Sequence, residues 1–168
     1  VIPNVFGPFG RPYYNSFIAT FAHQLTHNEQ PKVKVDAEVK LIFVAELVEV
    51  IINEIRNRTG NPLYLVPHTS VHKVSEILNL LEHYKADYFI GGNISALNSK
   101  FQLNLFNTFR SYIDIKNHNP VKFVQHTDGR GSFVEIVRLA TGGQVSFSTT
   151  FPGVTRGNHF HTRKIERF

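Results

Sequence analysis

The apolar positions of this chain change their spacing part-way along. Up to about residue 117 they switch repeatedly between a period of two and a helical period; beyond it only the period of two remains. Val1 to Phe6 is short and β-prone, and Gly7-Pro8 and Gly10 break it. Asn15 or Ser16 can cap a helix carrying Phe17, Ile18, Phe21 and Leu25, with Pro31 as its expected stop. Val33 and Val35 alternate with charged residues and predict a short strand; Val39, Leu41 and Phe43 predict another. Leu47, Val48, Ile51, Ile52 and Ile55 fall at i, i+3, i+4 spacing, which predicts a helix over Ala45 to Arg58, stopped by Gly60-Asn61-Pro62. Leu63 to Val66 predicts a brief strand ended by Pro67. Ser70 is then expected to cap a helix with Val71, Val74, Ile77, Leu78 and Leu81 on one face. Gly91-Gly92-Asn93 reads as a loop, and Leu97 to Tyr112 as an amphipathic helix through Phe101, Leu105 and Phe109.

Near Asp114 the helical spacing ends, and Lys116-Asn117-His118-Asn119-Pro120 reads as a linker. Short strands with Gly turns follow from Val121: Phe133, Glu135 and Val137 lie at period two, as do Val145, Phe147 and Thr149. This predicts a domain boundary at about residue 117, with an α/β unit over 1–116 and an all-β unit over 117–168. There is no internal repeat and no low-complexity tract.

With 42% hydrophobic and 18% charged residues, the 168-residue chain can bury a core. It has no cysteine, which excludes disulfides and points to a reducing, cytoplasmic home. No apolar run approaches the roughly 18 residues of a membrane helix, so no membrane partner is expected. Val1 to Gly10 lacks the build of a signal peptide. The net charge of +5 favours anionic ligands such as nucleotide phosphates. Nucleic acid is not an expected partner, because the basic residues are spread out, with one small cluster at Arg163, Lys164 and Arg167. The chain opens on Val1 and stops within a few residues of a dense motif, and is expected to be part of a longer protein.

That motif runs from Gly153 to Glu166 with the spacing Gly-x5-His159-x-His161-x4-Glu166. On a strand, two histidines two apart leave by the same face. Such imidazoles can share a divalent metal, and a carboxylate on the next strand can complete the set. A His-x-His pair alone is more often half-buried decoration; the upstream glycine, the downstream glutamate and the all-β context tip the balance towards metal. The motif resembles the first conserved motif of the cupin superfamily. Upstream, Asp128-Gly-Arg130-Gly131-Ser-Phe133-Val-Glu135 resembles the opening of sugar-nucleotide epimerases of the deoxyhexose-ulose type, as do Gln144-Val-Ser146 and Arg156-Gly157-Asn158-His159. That resemblance implies that His159 is a base removing the proton next to a ketone, a task suited to an imidazole. Metal-dependent cupins imply instead that it is a ligand. One lone pair cannot serve both roles at once; with His161 and Glu166 present, the metal role is favoured.

At the other end, Pro3-Asn4-Val5-Phe6-Gly7-Pro8 followed by Arg11-Pro12-Tyr13-Tyr14 is similar to the segment where extended short-chain dehydrogenases turn into their substrate lobe. An amide at a strand's carboxyl end sits where open α/β sheets bind ligands. The resemblance implies that Asn4 bonds the sugar nucleotide and that Arg11 lies near its phosphates. Leu41-Ile-Phe43-Val44-Ala45-Glu46-Leu47-Val48 resembles the family's next strand-to-helix segment, with Ala45 and Glu46 where paired acids are usual. No Gly-x-Gly-x-x-Gly follows a strand, so the NADP(H) site is expected mostly outside this chain. Tyr112-x3-Lys116 spells the dehydrogenase catalytic pair, but after the substrate lobe instead of before it, and is read as coincidence.

The order of the two similarities resembles that of bifunctional capsular-polysaccharide enzymes of the CapF type: a dehydrogenase tail, then the first strands of a cupin barrel. The resemblance implies a cupin that epimerises C3 of a UDP-2-acetamido-2,6-dideoxy-hexos-4-ulose. It implies a dehydrogenase that reduces C4 with NADPH, on the route to N-acetyl-L-fucosamine. It also implies zinc or another divalent metal, a UDP-sugar substrate and a homodimer. These residues alone are expected to be inactive as a reductase. The rival readings are a cupin epimerase with no second activity and a non-catalytic sugar-binding or dimerisation module.

Overall fold

The computed structural model describes residues 1–57, 63–118, 122–158, 160–163 and 165. Its first sheet has three strands in the order β1 (Asn4–Phe6), β2 (Glu38–Phe43), β3 (Ser70–Lys73). Strands β1 and β2 are parallel, with Asn4 beside Leu41, and β3 runs antiparallel to β2. Helix α1 (Phe17–Thr26) crosses between the two parallel strands, α2 (Val44–Asn57) follows β2 directly, and α3 (Val74–Tyr84) follows β3. Helix α4 (Lys100–Arg110) completes the layer over the core, and a single turn, α5 (Ile115–His118), leads out of it.

The helices begin where side-chain oxygens can take up their free N–H groups. Ser16 accepts from Ala19 N at the head of α1, and Ser99 accepts from Gln102 N at the head of α4. The core joins Phe6 and Leu41 of the sheet to Ile18 and Ala22 of α1, Ile77 and Leu81 of α3, and Leu105 and Phe109 of α4. Buried Thr26 ties α1 to the end of α4, its hydroxyl donating to the Tyr112 carbonyl at 3.0 Å.

Several expectations are corrected. Helix α1 stops at Thr26, before Pro31 is reached, because Asn28 takes a left-handed turn (φ 60°) and Glu29 N bonds back to the Gln24 carbonyl. Val33 and Val35 form no strand: the segment is held by Asp36, whose carboxylate accepts from both Ser75 N and Ser75 Oγ at 2.8 Å. That bond caps α3 from outside the helix, so Ser70 is not the cap; it opens β3, paired with Leu41. Leu63 to Val66 carries no strand either; there Val66 N donates to the Val1 carbonyl and the Val1 amino group donates to the Tyr64 carbonyl. The long helix before the boundary is confined to Lys100–Arg110. Helix α2 has the apolar stripe read from its spacing, yet of that stripe only Leu47 is buried. Gly60-Asn61-Pro62 lies outside the described residues. No helix among the described residues is long and apolar enough to cross a membrane.

The second sheet is antiparallel, in the order β4 (Gln125–Asp128), β5 (Gly131–Arg138), β6 (Gln144–Thr150). His126 stands opposite Phe133, and Phe133 opposite Ser148. A bulge between Glu135 and Val137 breaks the predicted alternation, so Val137 leaves the face shared by Phe133 and Glu135. The same bulge lets Glu135 and Arg138 meet in a two-bond pair at 3.0 and 2.6 Å. The two sheets touch through a six-residue π-helical turn, Lys85–Ile90, and the loop behind it. There Ile94 N donates to the Arg138 carbonyl and Ala140 N to the Ile94 carbonyl, both at 2.9 Å.

Candidate functional site

The residues of the Asp128–Glu135 segment converge with Arg156 on one cavity. Asp128 and Arg130 flank the turn between β4 and β5, where the Arg130 guanidinium grips one carboxylate oxygen with Nε at 3.0 Å and Nη2 at 2.6 Å. The Arg130 side chain, then its backbone N–H and the nearby Arg156 charge, hold the Asp128 carboxyl below its ordinary pKa. Arg156 reaches back to the end of β6, donating from Nη1 to the Thr149 carbonyl at 2.8 Å. His126, Thr127, Asp128, Arg130, Phe133 and Arg156 together line a cavity of about 300 Å³. Each guanidinium has five N–H donors, more than these bonds use. The result is an aromatic wall beside two cations, a combination that suits an anion joined to a flat ring. Sequence reasoning quoted these residues only as a family pattern; the signal it passed over was that in three consecutive antiparallel strands the first turn, with Arg130, and the end of the third strand, which Arg156 follows, fall at the same end of the sheet.

The expected metal ligands are mostly out of view. His159 and Glu166 lie outside the described residues. His161 is exposed, and the described residues from Phe151 to Arg163 form no strand, so the extended presentation expected for the pair is not seen around it. Among the described residues, no three His, Asp or Glu side chains gather where a metal ion could sit.

Asn4 and Arg11 are not brought together. Asn4 opens β1 instead of closing it; its amide donates weakly to the Lys40 carbonyl (3.4 Å) and lines a cavity with Lys40 and His68 that does not include Arg11. Arg11 lies over the Tyr14 ring at 5.7 Å. Tyr13 and Tyr14, with Lys32 and Lys34, line a separate cavity of about 810 Å³ beside α1. Gly7 makes room for Val44, with which a Cβ would collide.

Comparison with known proteins agrees with this picture. Residues 126–168 match a family model described as the polysaccharide biosynthesis C-terminal domain, and that span contains every residue lining the Arg130–Arg156 cavity. The chain is 30% identical over 172 aligned residues to a UDP-2-acetamido-2,6-beta-L-arabino-hexul-4-ose reductase of Pseudomonas aeruginosa. That alignment covers 99% of this chain and 45% of the reductase. Two crystal structures of the capsular polysaccharide assembling protein CapF from Staphylococcus aureus superpose with a TM-score of 0.76 and 34% identity, over 95% of this chain. A third, CapF with the inhibitor 3-isopropenyl-tropolone, matches equally well. The chain is similar to part of CapF. It spans under half the length of these relatives, 43–47% of the solved CapF chains.

The strand-to-helix segment of the chain keeps one acid, Glu46, and the structure shows its use. Its carboxylate accepts from Phe43 N at the head of α2 (3.3 Å), from the Thr69 hydroxyl (2.7 Å) and from Lys100 Nζ at the head of α4 (2.8 Å). Burial pushes the Glu46 pKa up, but these three donors outweigh it and leave the group below its ordinary value. Tyr112, of the coincidental Tyr-x3-Lys pair, is buried, with its hydroxyl donating to the Gly10 carbonyl at 2.7 Å. That is a packing role. A carboxyl with a depressed folded pKa stabilises the fold above its unfolded pKa, and that stability fades as pH falls through the folded value. Glu46→Gln is therefore expected to lower unfolding stability at pH 7 by about 1–2 kcal/mol, the worth of hydrogen bonds to a charged group. The gap should narrow as pH falls below the ordinary glutamate range; urea melts at pH 7 and in acid check this, and a gap that does not change with pH contradicts it.

Proposed function

We propose that the chain is part of an enzyme that remodels a UDP-linked sugar for capsular polysaccharide. The observation that supports this best is the cavity where Arg130 and Arg156 stand beside Phe133 and His126, inside the span matched by the polysaccharide family. A sugar nucleotide offers a diphosphate for the guanidiniums and flat or hydroxylated rings for the wall. The kinship with a UDP-hexulose reductase supports the same substrate class.

In this reading residues 1–116 belong to an extended short-chain dehydrogenase and 117–168 open a cupin barrel. The substrate is a UDP-2-acetamido-2,6-dideoxy-hexos-4-ulose. In the cupin part the C3 proton leaves, an enolate forms with its charge on the C4 oxygen, and reprotonation from the other face inverts C3. The dehydrogenase part then delivers hydride from NADPH to C4, on the route to N-acetyl-L-fucosamine. The cofactor-binding portion falls mostly outside this chain, and the enzyme works as a homodimer in the cytoplasm.

His159, His161 and Glu166 form a donor set, two imidazoles and a carboxylate, whose chemistry fits zinc or a similar divalent ion. When bound, such an ion supplies charge stabilisation to an oxygen anion. In the dehydrogenase part, Arg11 lies over Tyr14, whose cavity Lys32 and Lys34 also line, a grouping that suits an aromatic base carrying a diphosphate, while Asn4 offers an amide at the head of β1.

Titration calorimetry of this chain with UDP tests the reading. Arg156→Ala is expected to weaken binding about tenfold or more, as loss of a charge-assisted bond does; an unchanged Kd overturns the assignment. Elemental analysis tests the metal: His161→Ala should hold clearly less zinc than the parent chain, and equal content removes His161 as a ligand.

A further inference from the structure

Resting on the sugar-nucleotide reading above, we infer that the binding cleft does not end at the second sheet, and that Lys122 and Asn93, at the junction with the first half, hold the far end of the same ligand. His126 and Phe133 stand directly opposite each other on β4 and β5. Both side chains line the Arg130–Arg156 cavity and also a second cavity of about 490 Å³ at the junction. The two spaces are therefore neighbours along one strand pair, with this aromatic pair as their common wall.

Size favours a single ligand across both. Pockets for drug-sized ligands span about 300–1,000 Å³. The arginine cavity, at about 300 Å³, is at the small end of that range. A nucleoside diphosphate sugar has three parts, and its diphosphate at the guanidiniums leaves a ring system to be housed beyond the wall. The junction cavity offers that room and the matching chemistry. Lys122 brings a cation from the segment ahead of β4, and Asn93 brings an amide from the loop behind the π-helical turn. Gly92 lines it with a left-handed backbone (φ 68°) and nothing within 4 Å of where a Cβ would stand, so the wall there is bare. Arg138, also on this wall, is paired with Glu135.

The loop bearing Asn93 is fixed for this task. Asn93 N donates to the Asp87 carbonyl at 2.8 Å, and the next residue, Ile94, bridges to the end of β5. The first half of the chain thereby supplies part of the site of the second.

Two probes separate this inference from the reading beneath it: UDP-N-acetylglucosamine, which fills the whole cleft, and inorganic pyrophosphate, which engages only the arginines. In the double variant Lys122→Ala/Asn93→Ala, the Kd for UDP-N-acetylglucosamine is expected to rise about fivefold or more, the loss of one or two polar contacts. The Kd for pyrophosphate should stay within about twofold, which also shows that the variant is folded. If the double variant binds both probes as the parent does, while Arg156→Ala weakens both, the junction contacts are refuted and the sugar-nucleotide reading stands. If Arg156→Ala leaves both unchanged, the reading and the inference fall together.

Discussion

The second sheet depends on one close approach, that of Gly131 to the carbonyl of Thr149. At φ 140° the Gly131 backbone takes a conformation that L side chains avoid, and any Cβ there would collide with that oxygen. The contact pins the start of β5 against the end of β6 and so fixes the register of all three strands. The same carbonyl accepts the Arg156 guanidinium. One main-chain oxygen thus sets strand register and anchors a cation, and the register then stands His126 against Phe133 and brings Arg130 to the same cavity.

The first half is organised by two acids that act outside their own helices. Asp36 caps α3 through Ser75, and Glu46 gathers the heads of α2 and α4 and the loop at Thr69. Both are exposed or half-exposed residues whose bonds end on elements distant in sequence.

These features explain what could be read from the chain. Helix α1 and the strand at Leu41 were legible because local spacing agrees with their burial pattern, whereas helix α2 was legible from its spacing alone, with most of its apolar stripe exposed. Ser70 misled because a serine before an apolar run has the same local signature whether it caps a helix or opens a strand; its pairing with Leu41 decides, and that is non-local. Val33 and Val35 misled because alternation gives no information about whether a neighbouring strand exists. The bulge at Ile136 has no local signal, yet it decides which side chains face the cleft. The site residues were legible only as a pattern: the family resemblance quoted Asp128, Arg130 and Arg156, but their convergence needs three strands in register.

Gly131 builds the anion cavity by letting β5 close on Thr149. Calorimetric titration of Gly131→Ala with UDP-N-acetylglucosamine tests this most directly. A loss of affinity of at least about tenfold is expected, because a shifted register separates Arg130 from Arg156. An affinity equal to that of the parent chain would contradict it.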